Sequence, residues 1–134
     1  MLRIKSALLT LALVSLASCG GDSSNDAYEQ ALDQANTAQA QAIALAVPSP
    51  CNAAAQCGVL TLTSVSGHCG VADYHVYSLV SPTADAASAA AANERMLADR
   101  AVSLAPPTSC VDAVQAPPTP ACVANACVAA SPAN

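Results

Sequence analysis

Seven cysteines in a chain of 134 residues with no phenylalanine and no tryptophan set the terms on which this sequence can fold. Hydrophobic residues make up 54% of it, yet much of that share is alanine, which favours helices while burying little area. The larger apolar groups reduce to Tyr28, Tyr74, Tyr77 and a modest set of Leu, Val and Ile. A core this thin needs covalent help. Cys51, Cys57, Cys69, Cys110, Cys122 and Cys127 can give it: with Cys19 set apart near the N-terminus, an even number is left to pair as disulfides in an oxidising compartment. Six cysteines can pair in many ways and the sequence does not choose. The working expectation is the local set, Cys51 with Cys57, Cys69 with Cys110 and Cys122 with Cys127. On the loop-entropy argument the short pairs contribute roughly 2 kcal/mol each and the middle one roughly 4.

Cys19 has a use of its own. Met1-Leu2-Arg3-Ile4-Lys5 is a short positive segment, Ala7 to Leu16 is apolar, and Ala17-Ser18 supplies small residues before the cysteine. These are the three parts of an export signal. An apolar run of about ten residues rises only about 15 Å as a helix, half of a ~30 Å hydrocarbon layer, which disfavours a permanent span. Leu16-Ala17-Ser18-Cys19 resembles the lipobox of bacterial lipoproteins. That resemblance implies cleavage after residue 18 and fatty acylation of Cys19, palmitate being a usual chain. It also implies a location in the cell envelope. Gly20, rather than Asp, at the next position implies the outer membrane, facing the periplasm. Two or three acyl chains, at roughly 0.8 kcal/mol per buried methylene, hold a protein on a bilayer almost permanently.

Loss of residues 1–18 removes Arg3 and Lys5, so nine acidic side chains face only Arg95 and Arg100. Nucleic acid is excluded as a partner, because a phosphate backbone calls for clustered Lys or Arg. Electrostatic adhesion to anionic lipid is excluded for the same reason. The expected partners are the membrane, through the anchor, and a protein of the envelope.

Residues 19–25 are small and polar and read as a flexible tether. Asp26-Ala27-Tyr28-Glu29 has the pattern of a capping box, so a first helix is expected over 26–47, stopping before Pro48 and Pro50. Its weakly apolar stripe is Tyr28, Leu32, Ala35, Gln39, Ala42 or Ile43, and Ala46. Residues 57–65 and 74–80 alternate with β-branched content and read as an antiparallel hairpin around a long, cysteine-pinned loop at 66–70. Ser81-Pro82-Thr83 suits a helix start, and 84–104 is strongly helix-forming. Its inward side is expected to be Ala86, Ala90, Asn93, Leu97, Ala101 and Leu104, with Glu94, Arg95, Asp99 and Arg100 elsewhere. Pro106-Pro107 ends it. Residues 121–128 can form a small hairpin with Asn125 at its tip, and 131–134 read as a disordered tail. The fold class is α+β: a small disulfide-rich domain over 48–130 with an antiparallel β-hairpin or sheet, one principal packed helix and an additional N-terminal helix.

Cys51 and Cys57, Cys69-Gly70 followed by Tyr74 and Tyr77-Ser78, Asn93, Ser109-Cys110, and Cys122 with Cys127 together resemble a group of small six-cysteine bacterial secreted proteins and lipoproteins. The resemblance covers about residues 51–128. It departs at Val71 and Ala72, where the group has Gly and Pro. It supports the fold and implies no activity.

No constellation carries chemistry. His68, Cys69, Asp73 and His75 lack the spacing of a metal motif, Cys69 is wanted for a disulfide, and the histidines read as unliganded surface groups. There is no Cys-x-x-Cys, no Gly-x-Ser-x-Gly and no glycine-rich phosphate loop. Asp73 and Asp85 are scattered acids of the kind that solubilise a surface. No catalytic residue, cofactor or metal ligand is expected. Pro106-Pro107-Thr108-Ser109-Cys110 and Pro117-Pro118-Thr119-Pro120-Ala121-Cys122 are two stiff segments beside cysteines, and preorganised loops of that sort lower the entropy cost of binding, as in protease inhibitors. The expected function is that of a lipid-anchored, non-catalytic binding module. The alternatives are an envelope-support role without a discrete ligand site and a protease-inhibitor-like protein.

Overall fold

A computed structural model describes residues 23–66, 68–110 and 115–130. The leader, Cys19, residues 20–22 and the 131–134 tail lie outside the described residues. Helix α1 (Ser23–Leu45) leads through a 3-10 turn (Ala54–Gln56) into strands β1 (Cys57–Ser66) and β2 (Cys69–Ser78). Helix α2 (Ala84–Leu104) follows, then strands β3 (Pro120–Val123) and β4 (Ala126–Ala129). The strands form two antiparallel hairpins, β1 with β2 and β3 with β4. This is a small α+β domain crossed by three disulfides. Among the described residues no helix is long and apolar enough to cross a membrane.

The two helices lie antiparallel, since Leu45 at the end of α1 meets Thr83 at the start of α2 and Ala31 near the start of α1 lies beside Arg100 and Leu104. The additional helix is therefore packed as fully as the principal one. Tyr28, Ala31, Ala35, Ala38 and Ala42 are buried on α1, and Ala84, Ala87, Ala91, Glu94, Ala98 and Ala101 on α2. Both sets step by three and four residues, the spacing that keeps a narrow stripe facing a partner helix. Methyl groups on both sides let the axes approach at the short end of the usual ~8–10 Å range.

This seam corrects both expected stripes. On α2 the buried face is turned one position from Ala86, Ala90, Asn93, Leu97 and Leu104. Larger side chains would hold the helices apart, so Leu97 and the exposed Leu104 flank the seam while Ala98 and Ala101 occupy it. On α1 Tyr28, Ala35 and Ala42 are buried as expected, and Ala101 is on α2, but Ala31 and Ala38 take the places expected for Leu32 and Gln39. The helix also begins at Ser23, so residues 23–25, expected in the tether, form its first turn, and Asp26 is inside the helix rather than at its cap. It ends at Leu45, two residues before the expected 47. Thr83 does sit at the N-cap of α2, but its hydroxyl donates to Leu45 O at 2.7 Å and ties the helices together instead of capping its own.

Leu60, Leu62 and Tyr77 on one face of the first hairpin pack against Ala42, Ala84, Ala87 and Ala91. Ser66 pairs with Cys69, which leaves two residues for the turn where a long loop was expected. His68 takes φ 71° there, and β2 starts five residues before Tyr74. Gly70 belongs to the strand: a Cβ there would lie 3.1 Å from Thr63 Cγ2. At the other end Ser78, fully buried, stops the ladder before 80. Its hydroxyl donates to Pro50 O and accepts from Val80 N, while its amide donates to Val47 O. The second hairpin has Ala124 and Asn125 at its tip, both at positive φ, as a two-residue turn between right-twisted strands requires.

The local disulfide pairing is corrected at four of its six cysteines. Cys51 pairs with Cys122 and Cys57 with Cys127, across 71 and 70 residues, while Cys69 pairs with Cys110 as expected. The reason lies in the second hairpin. Cys122 and Cys127 stand directly opposite each other, so their side chains leave the same face, and that face is laid on the start of β1. Backbone bonds from Cys51 N to Asn125 O and from Cys127 N to Pro48 O hold it there. Each long-range bridge is worth about 4 kcal/mol on the loop-entropy argument, less where the loops overlap.

Glu94 is the one charged residue in the helix seam. It is fully buried, and both of its carboxylate oxygens accept from Thr63 N at 3.2 Å, which occupies a backbone donor on the edge of β1 that β2 leaves free. Burial pushes its carboxyl above the usual carboxylate range. The Thr63 amide and Arg95 oppose the shift, and Asp99 and Asp73 add to it. The folded state thus keeps this proton to higher pH than the unfolded chain, so the group's stabilisation is complete below the unfolded value and is lost as pH rises through the folded one. Glu94→Gln keeps an acceptor for Thr63 and cannot ionise. Unfolding by urea between about pH 4 and 7 should show the wild type losing stability relative to Glu94→Gln as pH rises; parallel profiles would contradict the assignment.

Candidate functional site

His75 and Asp73 are two residues apart on the helix-facing side of β2, with His75 Nε2 3.5 Å from Asp73 Oδ2 and Gln39 Nε2 donating to the same oxygen at 3.3 Å. His68 is elsewhere. It sits in the turn with its ring 5.1 Å from that of Tyr28, and Cys69 to His75 alone spans roughly 20 Å of extended strand. The two histidines therefore cannot share an ion, and Cys69 is in a disulfide. Asp85, in the first turn of α2, has no part in the Asp73–His75–Gln39 cluster. The cluster is half-exposed at the edge of the sheet. It places an imidazole beside a carboxylate, with the Gln39 amide donating to that carboxylate.

The proline-rich connection between α2 and β3 is a different kind of surface. The helix stops because Ala105 adopts φ −64°, ψ 146°, the extended conformation a residue takes before proline. Residues 106–110 are exposed, as are 115–117 and Thr119. The segment is nevertheless tied at several points. Cys110 is bonded to Cys69, Tyr74 Oη donates to Gln115 O at 3.0 Å, and Ala130 N donates to Thr119 O at 2.8 Å. The first proline stretch, 106–110, thus lies on this connection, and the second, 117–122, begins on it and runs into β3 at Pro120, with ties at Cys110 and Gln115 on either side of residues 111–114.

Two features lie outside the sequence-based expectations. The first is an open groove of about 350 Å³ between the helices, with Asp33, Gln34, Thr37 and Gln41 on the α1 side and Asn93 and Leu97 on the α2 side. It exists because the alanine seam brings the helices close while longer polar side chains rise beside it. A count of alanines at alternating steps of three and four would have located it. The second is the meeting of Cys51, Cys57 and Cys127, whose sulfur atoms all lie within 4.8 Å of one another. The long-range pairing creates this meeting, so no local pattern announces it.

No family model, curated protein or solved structure matches the chain. The geometry is therefore the basis for any functional reading. It offers an exposed, cross-linked proline segment and a shallow amide-lined groove, both suited to non-covalent contact. If the Tyr74 bond holds the segment in shape, Tyr74→Phe should speed amide exchange and proteolysis at 115–119 several-fold while changing global stability by less than about 1 kcal/mol. Unchanged exchange there would show that the bond does not order the segment.

Proposed function

We propose that this chain is a lipid-anchored, non-catalytic binding module of the bacterial envelope. It is held by Cys19 at the periplasmic face of the outer membrane, and its proline-rich connection engages an envelope protein. The observation that carries the reading is the state of that connection, exposed in residues 106–110 and 115–117 yet tied through Cys110, Gln115 and Thr119. A segment already ordered in the free protein loses less conformational freedom on binding, and prolines reduce that loss further. The three disulfides accord with an oxidising compartment. Helix α1 gives a spacing: 23 residues rise roughly 35 Å, so the end of the domain where Cys51 and Cys57 meet the second hairpin is held well away from the N-terminal end.

Two measurements in whole cells test the reading. Cys19→Ser should release the protein from the membrane fraction and remove the acyl mass from the intact protein. A photo-reactive residue at Thr108 or Thr119 should cross-link one reproducible envelope protein, and replacing Pro107, Pro117 and Pro118 by Gly should weaken that cross-link several-fold. Continued membrane fractionation of Cys19→Ser would overturn the anchor. Absence of any cross-link, together with detergent sensitivity in cells lacking the protein, would instead favour an envelope-support role.

A further inference from the structure

We propose that the Cys51–Cys122 and Cys57–Cys127 disulfides form an exchange pair, which a small thiol brings into equilibrium with Cys51–Cys57 and Cys122–Cys127. The conversion unstaples the second hairpin from the first. The sulfur atoms of Cys51, Cys57 and Cys127 lie mutually within 4.8 Å, and Cys122 is bonded to one of them. Four sulfurs in two bonds are thus gathered in one place. Three belong to residues 2–6% exposed, whereas Cys122 is half-buried, so a thiol from solvent meets Cys122 first.

The exchange balances without net oxidation or reduction. A thiolate attacks Cys122 Sγ and forms a mixed disulfide; the Cys51–Cys122 bond breaks, and its electron pair leaves on Cys51 as a thiolate. Cys51 then attacks Cys57 Sγ, forming Cys51–Cys57 and expelling Cys127 as a thiolate. Cys127 stands directly opposite Cys122 in the strand register, a position whose Cα separation of about 4.5–5.5 Å lies within the range a disulfide spans. It attacks Cys122 and returns the original thiolate to solvent. Each step is ordinary thiol–disulfide exchange, and the thiol acts as a catalyst. Two long loops are replaced by two short ones. Of the named contacts between the second hairpin and residues 48–51, the backbone bonds Cys51 N to Asn125 O and Cys127 N to Pro48 O remain. The device goes beyond the binding reading and does not rest on it.

Two experiments on the full-length oxidised protein test it. In the first, the protein is held anaerobically in a glutathione redox buffer, quenched with acid, unfolded, alkylated and mapped for cross-links by mass spectrometry. Cys51–Cys122 and Cys57–Cys127 should decline together, with an equal gain of Cys51–Cys57 and Cys122–Cys127 and no rise in free thiol at these four positions. Retention of the original pairs, appearance of Cys51–Cys127, or loss of the pairs into free thiols would overturn the proposal. The second uses Cys122→Ser, which leaves Cys51 as a thiol beside Cys57–Cys127. After acid quench and unfolding, the label should divide between Cys51 and Cys127; label confined to Cys51 would overturn it.

Discussion

The close approach of α1 and α2 along a line of alanines is the contact on which the rest of the molecule depends. Ala31, Ala35, Ala38 and Ala42 face Ala84, Ala87, Ala91, Ala98 and Ala101, Leu97 and Leu104 stand at the flanks, and the larger Glu94 turns its carboxylate to the edge of β1. Their small size makes the approach possible and also makes it weak, because each methyl removes little surface from water, on the order of 0.8 kcal/mol. The seam places Ala42, Ala84, Ala87 and Ala91 under Leu60, Leu62 and Tyr77, and it opens the polar groove alongside. It also brings Glu94 to the edge of β1, where a shorter side chain would leave the Thr63 amide without that acceptor.

A core of this kind leaves stability to cross-links, and their pattern follows from the topology. The second hairpin touches the rest of the domain through a four-residue strand pair too short to stand alone. Its two opposed cysteines fix it to two points, Cys51 before the 3-10 turn and Cys57 after it. Two anchorages on different residues prevent rotation, which one bridge would allow. The third disulfide, at the far end of the first hairpin, holds the connection from α2. That arrangement fixes the ends of the domain while leaving a long proline-rich stretch exposed, and the binding reading rests on this combination.

Local signals were legible in the sequence and contacts at a distance were not. The second helix was readable to the residue because alanine content and Pro106-Pro107 mark it, and the tip of the second hairpin because Asn125 tolerates positive φ. Tyr28, Ala35, Ala42 and Ala101 fall on the buried faces as expected, whereas hydrophobicity alone also points to Leu97, Leu104 and Leu32, which lie beside them. The seam selects for small size, a criterion that hydropathy ranks the wrong way. Glu94 was assigned to the surface because its partner is a backbone amide thirty-one residues away. Two of the disulfides were misread because the shortest loops pair Cys51 with Cys57 and Cys122 with Cys127, and only the folded-back second hairpin reverses that preference. The same geometry brings Cys51, Cys57 and Cys127 together. Of the residues weighed against a metal site, Asp73 and His75 meet and His68 does not join them; Cys19, the expected lipidation site, lies beyond the described residues.

Enlarging one seam alanine while shortening its leucine neighbour tests this account most directly. Urea unfolding of the disulfide-intact protein should find Ala98→Leu, which adds three carbons to a fully buried position, destabilised by about 1–3 kcal/mol. Leu97→Ala, which removes the same three carbons from the groove wall, should lose less than that, about 1 kcal/mol or under. The opposite order, with the leucine mattering and the added leucine at 98 tolerated, would mean that the helices do not meet along the alanines.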